Sequence, residues 1–162
     1  MKLQNLNNKY EADATLLNKT GTNWNMVPEG KKLSDIFEPD KAKRILAGFN
    51  HHENFSRSQY GGTAAIAFDR LSGYVIESKT DSTGLGRWSW LLVGSGEHRT
   101  RIILAYQPVK PSSNAAGSVW AQHKRYFIKK GIFHNPRTMF FRQLTALLKK
   151  WRAAGEEIIL FR

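Results

Sequence analysis

The sequence predicts an α/β protein in which mostly antiparallel strands are followed by two helices and a final strand. Four strand-like runs, at 61–68, 74–78, 87–93 and 100–106, succeed one another with no helical period between them. Consecutive strands of this kind pair antiparallel. Two segments then carry helix signals, one starting at Ser118 and one opening at Asn135-Pro136, where the Asn side chain can cap the first turn and Pro fits it. A short apolar run, Ile158–Phe161, follows the second helix. The order strand, helices, strand predicts a crossover back into the same sheet.

The central feature is a hairpin. Arg87–Val93 and Thr100–Tyr106 are rich in Trp, Leu, Val and Ile and flank the Gly-containing loop Gly94–His98, a pattern that favours paired, half-buried strands. Tyr106 stands at the end of the second run, just ahead of Pro108, which cannot donate to a ladder. A Tyr there is held by a rigid support where a ligand can reach it.

Upstream, Leu3–Tyr10 reads as the last turns of a helix and Ala14–Leu17 as a short strand. Lys19–Trp24 forms a turn in which Gly21 is free to take positive φ. A helical turn is expected near Leu33–Phe37, and Asp40 is placed to cap a helix over Lys41–Gly48 with Ile45 and Leu46 packed inward. Phe49–Tyr60 is polar and reads as loop. Gly61–Phe68 is a buried strand of small residues, and its glycine pair admits close approach of a backbone or ligand. It connects through Asp69–Gly73 to a strand over Tyr74–Ser78.

Downstream, Pro111–Gly117 is loop, the first helix runs from Ser118 to about Lys130, and the second runs to about Ala154. Gly131 and Gly155 act as stop signals. Phe140, Leu144, Leu147, Leu148 and Trp151 fall on one helical stripe, with Arg142, Lys149 and Arg152 off it.

At 162 residues the chain is expected to form one domain with a sizeable core. No apolar run approaches the ~20 residues of a membrane span. The first 14 residues lack the apolar core of a signal peptide. The absence of cysteine excludes a disulfide framework, a thiolate metal site and a cysteine nucleophile. An intracellular setting, cytoplasmic or nuclear, is therefore expected. The net charge of +12 is unevenly spread: residues 1–98 hold 12 Lys/Arg against 11 Asp/Glu, whereas residues 99–162 hold 13 against only Glu156 and Glu157. That asymmetry points to an anionic partner, nucleic acid first. A solvated basic surface is the plainer alternative.

Few residues suggest metal or acid–base chemistry. His51, His52 and Glu53 are the nearest approach to a metal cluster, but adjacent histidines point different ways and a solvated loop is favoured. No Asp occurs after Asp81, and Glu156-Glu157 reads as a solvated helix exit. The Gly84-Leu85-Gly86 and Gly94-Ser95-Gly96 pairs are too short for a dinucleotide loop. Arg99 and Arg101, two apart, share one strand face. With Lys124, Arg125, Lys129 and Lys130 they are candidates to track a phosphate backbone. Trp88 and Trp90 read as core.

Four segments taken together carry a family resemblance: Tyr60-Gly61-Gly62-Thr63-Ala64, the run from Asp81 to Trp90, the run from Arg101 to Pro108, and Trp151–Phe161. In this order they resemble the endonuclease/exonuclease/phosphatase superfamily. More narrowly, they resemble the apurinic-type endonuclease domains attached to reverse transcriptases of non-LTR retroelements. The resemblance covers nearly the whole chain. It implies a four-layered α/β sandwich, here partial, with the site at the shared edge of two sheets. It implies Mg²⁺- or Mn²⁺-assisted phosphodiester hydrolysis, DNA before RNA as the partner, and fusion to a reverse transcriptase in a longer parent. Tyr106 matches the Tyr that contacts the scissile phosphate.

Lys19 stands where the resemblance implies a metal-binding Glu, and an ammonium cannot ligate a metal. The first strand and the last motifs of the pattern are expected to lie before residue 1 and after residue 162. The expectation is therefore a metal-dependent endonuclease with weak or absent activity as this chain. The alternatives are a basic module that binds nucleic acid without cutting it, and a fragment with no role of its own.

Overall fold

A computed structural model describes residues 11–37, 42–53, 56–112 and 115–162. The expected helix over Leu3–Tyr10 and the cap at Asp40 lie outside them. The described elements are β1 (Ala14–Asn18), a 3₁₀ turn (Trp24–Met26), α1 (Leu33–Ile36), β2 (Ala42–Gly48), β3 (Thr63–Phe68), α2 (Asp69–Gly73), β4 (Val75–Thr80), β5 (Trp88–Ser95), β6 (His98–Ala105), α3 (Val119–Lys129), α4 (Pro136–Ala153) and β7 (Glu157–Phe161). The fold is mixed α/β with two sheets. One is antiparallel in the order β1-β3-β2; the other has the order β4-β5-β6-β7, antiparallel except that β7 runs parallel to β6.

Two expectations are corrected. The helix expected over Lys41–Gly48 does not form in the described residues: Ala42–Gly48 is β2, paired with β3. Its Lys, Ala, Arg and Leu favour helix locally, but both faces of this strand are covered. Ile45 and Ala47 pack toward the outer side of the sheet and Leu46 toward the inner side, so period-2 burial leaves no polar alternation to read. The four consecutive strands also do not form one sheet. The short helix α2 opens at Asp69, whose φ is +34, and carries the chain from β3 in one sheet to β4 in the other.

The two sheets face each other across Ala65, Ala67, Val75 and Leu91, with Leu16, Leu46 and Val93 at the margins. The alanines of β3 let the sheets approach closely enough for Thr63 Oγ1 and Ser89 Oγ to hydrogen-bond across the gap at 2.7 Å. Outside the four-stranded sheet, Phe140, Leu144 and Trp151 of α4 lie against Trp88, Trp90, Leu92 and Ile103. The apolar stripe of α4 is this contact, and each such buried side chain is worth roughly 1.5–3 kcal/mol. Outside the three-stranded sheet, Leu33 and Phe37 cover Ala64, Ile66 and Phe68. Both helix caps form: Ser118 Oγ accepts from the Ala121 amide at 3.2 Å and Asn135 Oδ1 from the Thr138 amide at 2.9 Å.

Register brings the strand ends together. Thr63 lies opposite Asn18 and Gly48, Thr80 opposite Ser89, Trp88 opposite Ala105, and Leu104 opposite Phe161. The C-terminal ends of β1, β2, β4, β6 and β7 therefore share one edge of the molecule with the starts of β3 and β5. The Thr63–Ser89 bond joins the two sheets at that edge.

Candidate nucleic-acid interface

At the shared edge, the turn after β1 is tied to the loop before β3. The Gly21 amide donates to the Gly61 carbonyl at 3.0 Å, and the Gln59 amide to the Gly21 carbonyl at 3.0 Å. Gly61 and Gly62 have φ of +89 and +87. A Cβ on Gly61 would come within 2.9 Å of Val119 Cγ2 and 3.3 Å of Tyr106 Cε1, and one on Gly62 within 2.5 Å of Thr20 Oγ1. The glycine pair thus lets Tyr106, Val119 and Thr20 converge where a side chain would hold them apart.

Tyr106 follows β6 and is anchored by its amide, which donates to the Arg87 carbonyl at 2.6 Å. Burial raises its phenol pKa, so at neutral pH the hydroxyl keeps its proton and can donate to an anion. Lys19 Nζ lies 5.9 Å from the centre of the Tyr106 ring. Lys19 itself is exposed, with φ of +54, a left-handed conformation costing a non-glycine residue roughly 1 kcal/mol. Its amide is held by Asn18 Oδ1 at 2.9 Å.

The residues around Tyr106 do not fit a divalent cation. Lys19 brings a positive charge with no lone pair to ligate, and amides on the loop before β3 and on α3 bond to one another. Asn50 Nδ2 donates to Gln122 Oε1 at 3.1 Å, Gln122 Nε2 to the Gly117 carbonyl at 2.7 Å, and Gln59 Nε2 to the Asn50 carbonyl at 3.0 Å. Among the described residues, no group of three or more His, Cys, Asp or Glu side chains is placed to hold a metal ion. His51 lies against Phe49, His52 against Tyr126, and Glu53 pairs with Arg125. Partial burial, with the neighbouring His52, lowers the His51 pKa.

The expected phosphate-tracking residues divide into two groups. Arg99 and Lys124 are exposed. Arg101 is only 3% exposed: its Nε and Nη2 donate to Glu156 at 2.5 and 2.7 Å, and its guanidinium sits 4.0 and 4.3 Å from the rings of Trp90 and Trp151. Arg99 and Arg101 do lie two apart on β6, but the end of α4 covers Arg101 and removes it from any surface contact. Arg125 donates to Glu53 at 2.9 and 2.6 Å and to the Ala116 carbonyl at 2.8 Å. It braces the loop before α3.

Sequence reasoning missed a buried polar network behind this edge. Arg87 is 0% exposed; it donates to Asp81 from Nε at 2.6 Å and Nη2 at 3.0 Å, and from Nη1 to Gln143 at 2.6 Å, with its guanidinium 4.1 Å from the Trp88 ring. Burial acts to raise the Asp81 pKa, but the Arg87 pair and the bonds from Thr83 outweigh it and hold the carboxyl below its usual value. His123, beside this pair, has an Nδ1 without a hydrogen-bond partner. Burial and the Arg87 charge push its pKa down to about 3, so the imidazole is neutral. The even charge balance of residues 1–98 gave no hint that Asp81 and Arg87, six residues apart, pair in the interior.

No family model matches the chain, and no curated protein matches it significantly.

One further feature lies at the start of α3. Val119, which shares the Gly61 contact with Tyr106, is followed by Trp120. Trp120 lines a cavity of about 330 Å³ with Lys110, Ala116, Ser118 and Lys124. Lys124 was expected from the sequence, whereas Lys110 and Trp120 were not. The available signal was a lone Trp at the start of a helix, with Lys124 one turn on and a loop of small residues ahead of it.

Proposed function

We propose that the chain binds the phosphate backbone of nucleic acid along the strand-end edge around Tyr106, in a fold of the endonuclease/exonuclease/phosphatase type, with phosphodiester hydrolysis weak or absent. One observation carries the reading: the cation set against the Tyr106 ring is the ammonium of Lys19. A protonated phenol and an ammonium supply a donor and a positive charge to a phosphate oxygen, which is enough to bind it. Neither activates water, and neither holds a metal that would. Exposed Lys124, Lys129 and Lys130 on and just after α3 extend the positive surface. Arg101 and Arg125 are engaged with Glu156 and Glu53 and serve the fold.

A gel-shift titration and a nicking assay on supercoiled plasmid test this together, with Mg²⁺, Mn²⁺ or EDTA present. Binding that weakens steeply with salt, at a log–log slope of about −0.9 per phosphate neutralised, is expected. No nicking is expected under any of the three conditions. Lys19→Glu is expected to weaken binding. Metal-dependent nicking that disappears in Tyr106→Phe would instead make the chain a working nuclease. Absence of any shift at low salt would remove nucleic acid as the partner.

A further inference from the structure

We infer that the cavity lined by Trp120 receives one unpaired base of a single-stranded nucleic acid, stacked on the indole with its neighbouring phosphates on Lys110 and Lys124. The inference rests on the nucleic-acid reading above and narrows it to a substrate class. The cavity, about 330 Å³, lies within the range of small-molecule sites, roughly 300–1,000 Å³. Trp120 sits in the first turn of α3, is half-buried and lines the cavity. An indole bordering an open cavity is a stacking surface that accepts any base.

The charges around it match a nucleotide. Lys124 is four residues after Trp120 on the same helix, so both stand on one face. Lys110 enters from the segment after Tyr106. Both lysines are exposed, and no Asp or Glu lines the cavity among the described residues. Ala116 also lines the cavity; its carbonyl accepts from Arg125, which is held by Glu53, so Arg125 is engaged within the protein rather than with a phosphate. Because Val119 and Tyr106 both meet Gly61, a strand on the Lys19–Tyr106 edge lies within a short reach of the cavity. A duplex keeps its bases paired and stacked, and would have to unstack one to fill the slot.

Fluorescence anisotropy with the full chain tests the inference at low salt. The probes are a labelled 12-nucleotide thymidine strand, an abasic sugar-phosphate strand of equal length, and a duplex. Trp120→Ala is expected to weaken the thymidine strand by about ten- to a hundred-fold and to leave the abasic strand within about two-fold. Trp120→Phe is expected to keep most of the binding. Lys110→Gln and Lys124→Gln are expected to weaken the two single strands alike. If Trp120→Ala does not fold, Trp120→Leu, with similar bulk and no π-face, makes the same comparison.

Equal losses on the thymidine and abasic strands, or no loss on either, would overturn the base-stacking inference while backbone binding stood. Displacement of the strand by a free nucleoside monophosphate at matched concentration would also overturn it, making the cavity a small-ligand site. If the wild-type chain binds none of the three probes, the nucleic-acid reading fails and this inference fails with it.

Discussion

Two regions of this molecule carry positive charge in opposite ways. Beneath α4, guanidinium groups are buried: Arg87 and Arg101 each grip a carboxylate bidentately and lie on tryptophan rings. At the Tyr106 edge and the neighbouring cavity, ammonium groups stay in solvent: Lys19, Lys110 and Lys124. The division follows the chemistry of the two side chains. A guanidinium is planar, weakly hydrated and able to satisfy a carboxylate with two parallel bonds while stacking on an aromatic face. An ammonium is a strongly hydrated point charge that resists burial. The arginines are therefore parts of the architecture and the lysines are parts of the surface, so a count of basic residues overstates what is available to a phosphate.

The largest effect that would test this contrast is at Arg87. Arg87→Met leaves the Asp81 carboxylate buried without its partner and is expected to cost about 3–5 kcal/mol, or roughly 10 °C in melting temperature for a chain of this size. The double variant Arg87→Met/Asp81→Leu is expected to recover much of that loss. Thermal unfolding of both variants decides the point, and a single variant as stable as the parent would show that the pair is not structural.

An intermediate effect is expected from pH. His123 has a folded pKa of about 3 against an ordinary 6.5, so the unfolded chain takes up a proton between these values while the folded chain does not. Stability from this group is complete above about pH 6.5 and falls by about 1.4 kcal/mol per unit as the pH drops toward 3. The Asp81 carboxyl, held below its usual 3.8, adds a loss of the same sign at the acid end of that range. Chemical denaturation of the parent and of His123→Gln from pH 7 to 4 measures the difference. The variant is expected to show the flatter profile, and equal slopes would remove His123 as the cause.

The smallest effect on stability, and the sharpest separation of the two regions, is expected at the exposed lysines. Lys124→Gln is expected to change unfolding free energy by less than about 0.5 kcal/mol, yet to reduce the salt slope of nucleic-acid binding by about one. A loss of stability comparable to that of Arg87→Met would place Lys124 with the architecture instead.

Local signals in the chain were enough for the hairpin, both long helices with the Asn135 cap, the stripe on α4 and the return of the last strand to the same sheet. These depend on hydrophobic period and capping chemistry, which act over a few residues. The strand β2 was not legible, because a strand covered on both faces loses its polar alternation and Lys-Arg-Ile-Leu-Ala reads as helix until β3 pairs with it. The division of four successive strands between two sheets was also decided by packing: α2 diverts the chain, and the alanines of β3 fit against Leu91.

Tyr106 was legible as a strand-end residue, but its neighbours Lys19, Gly61 and Val119 come from three distant segments. The fates of Arg101 and Arg125 depended on whether Glu156 and Glu53 would reach them, which sequence spacing does not reveal for partners 55 and 72 residues away. Local chemistry acts along the chain and could be read there. Charge burial and the convergence of strand ends depend on what long-range packing brings together, and only the tertiary structure decided them.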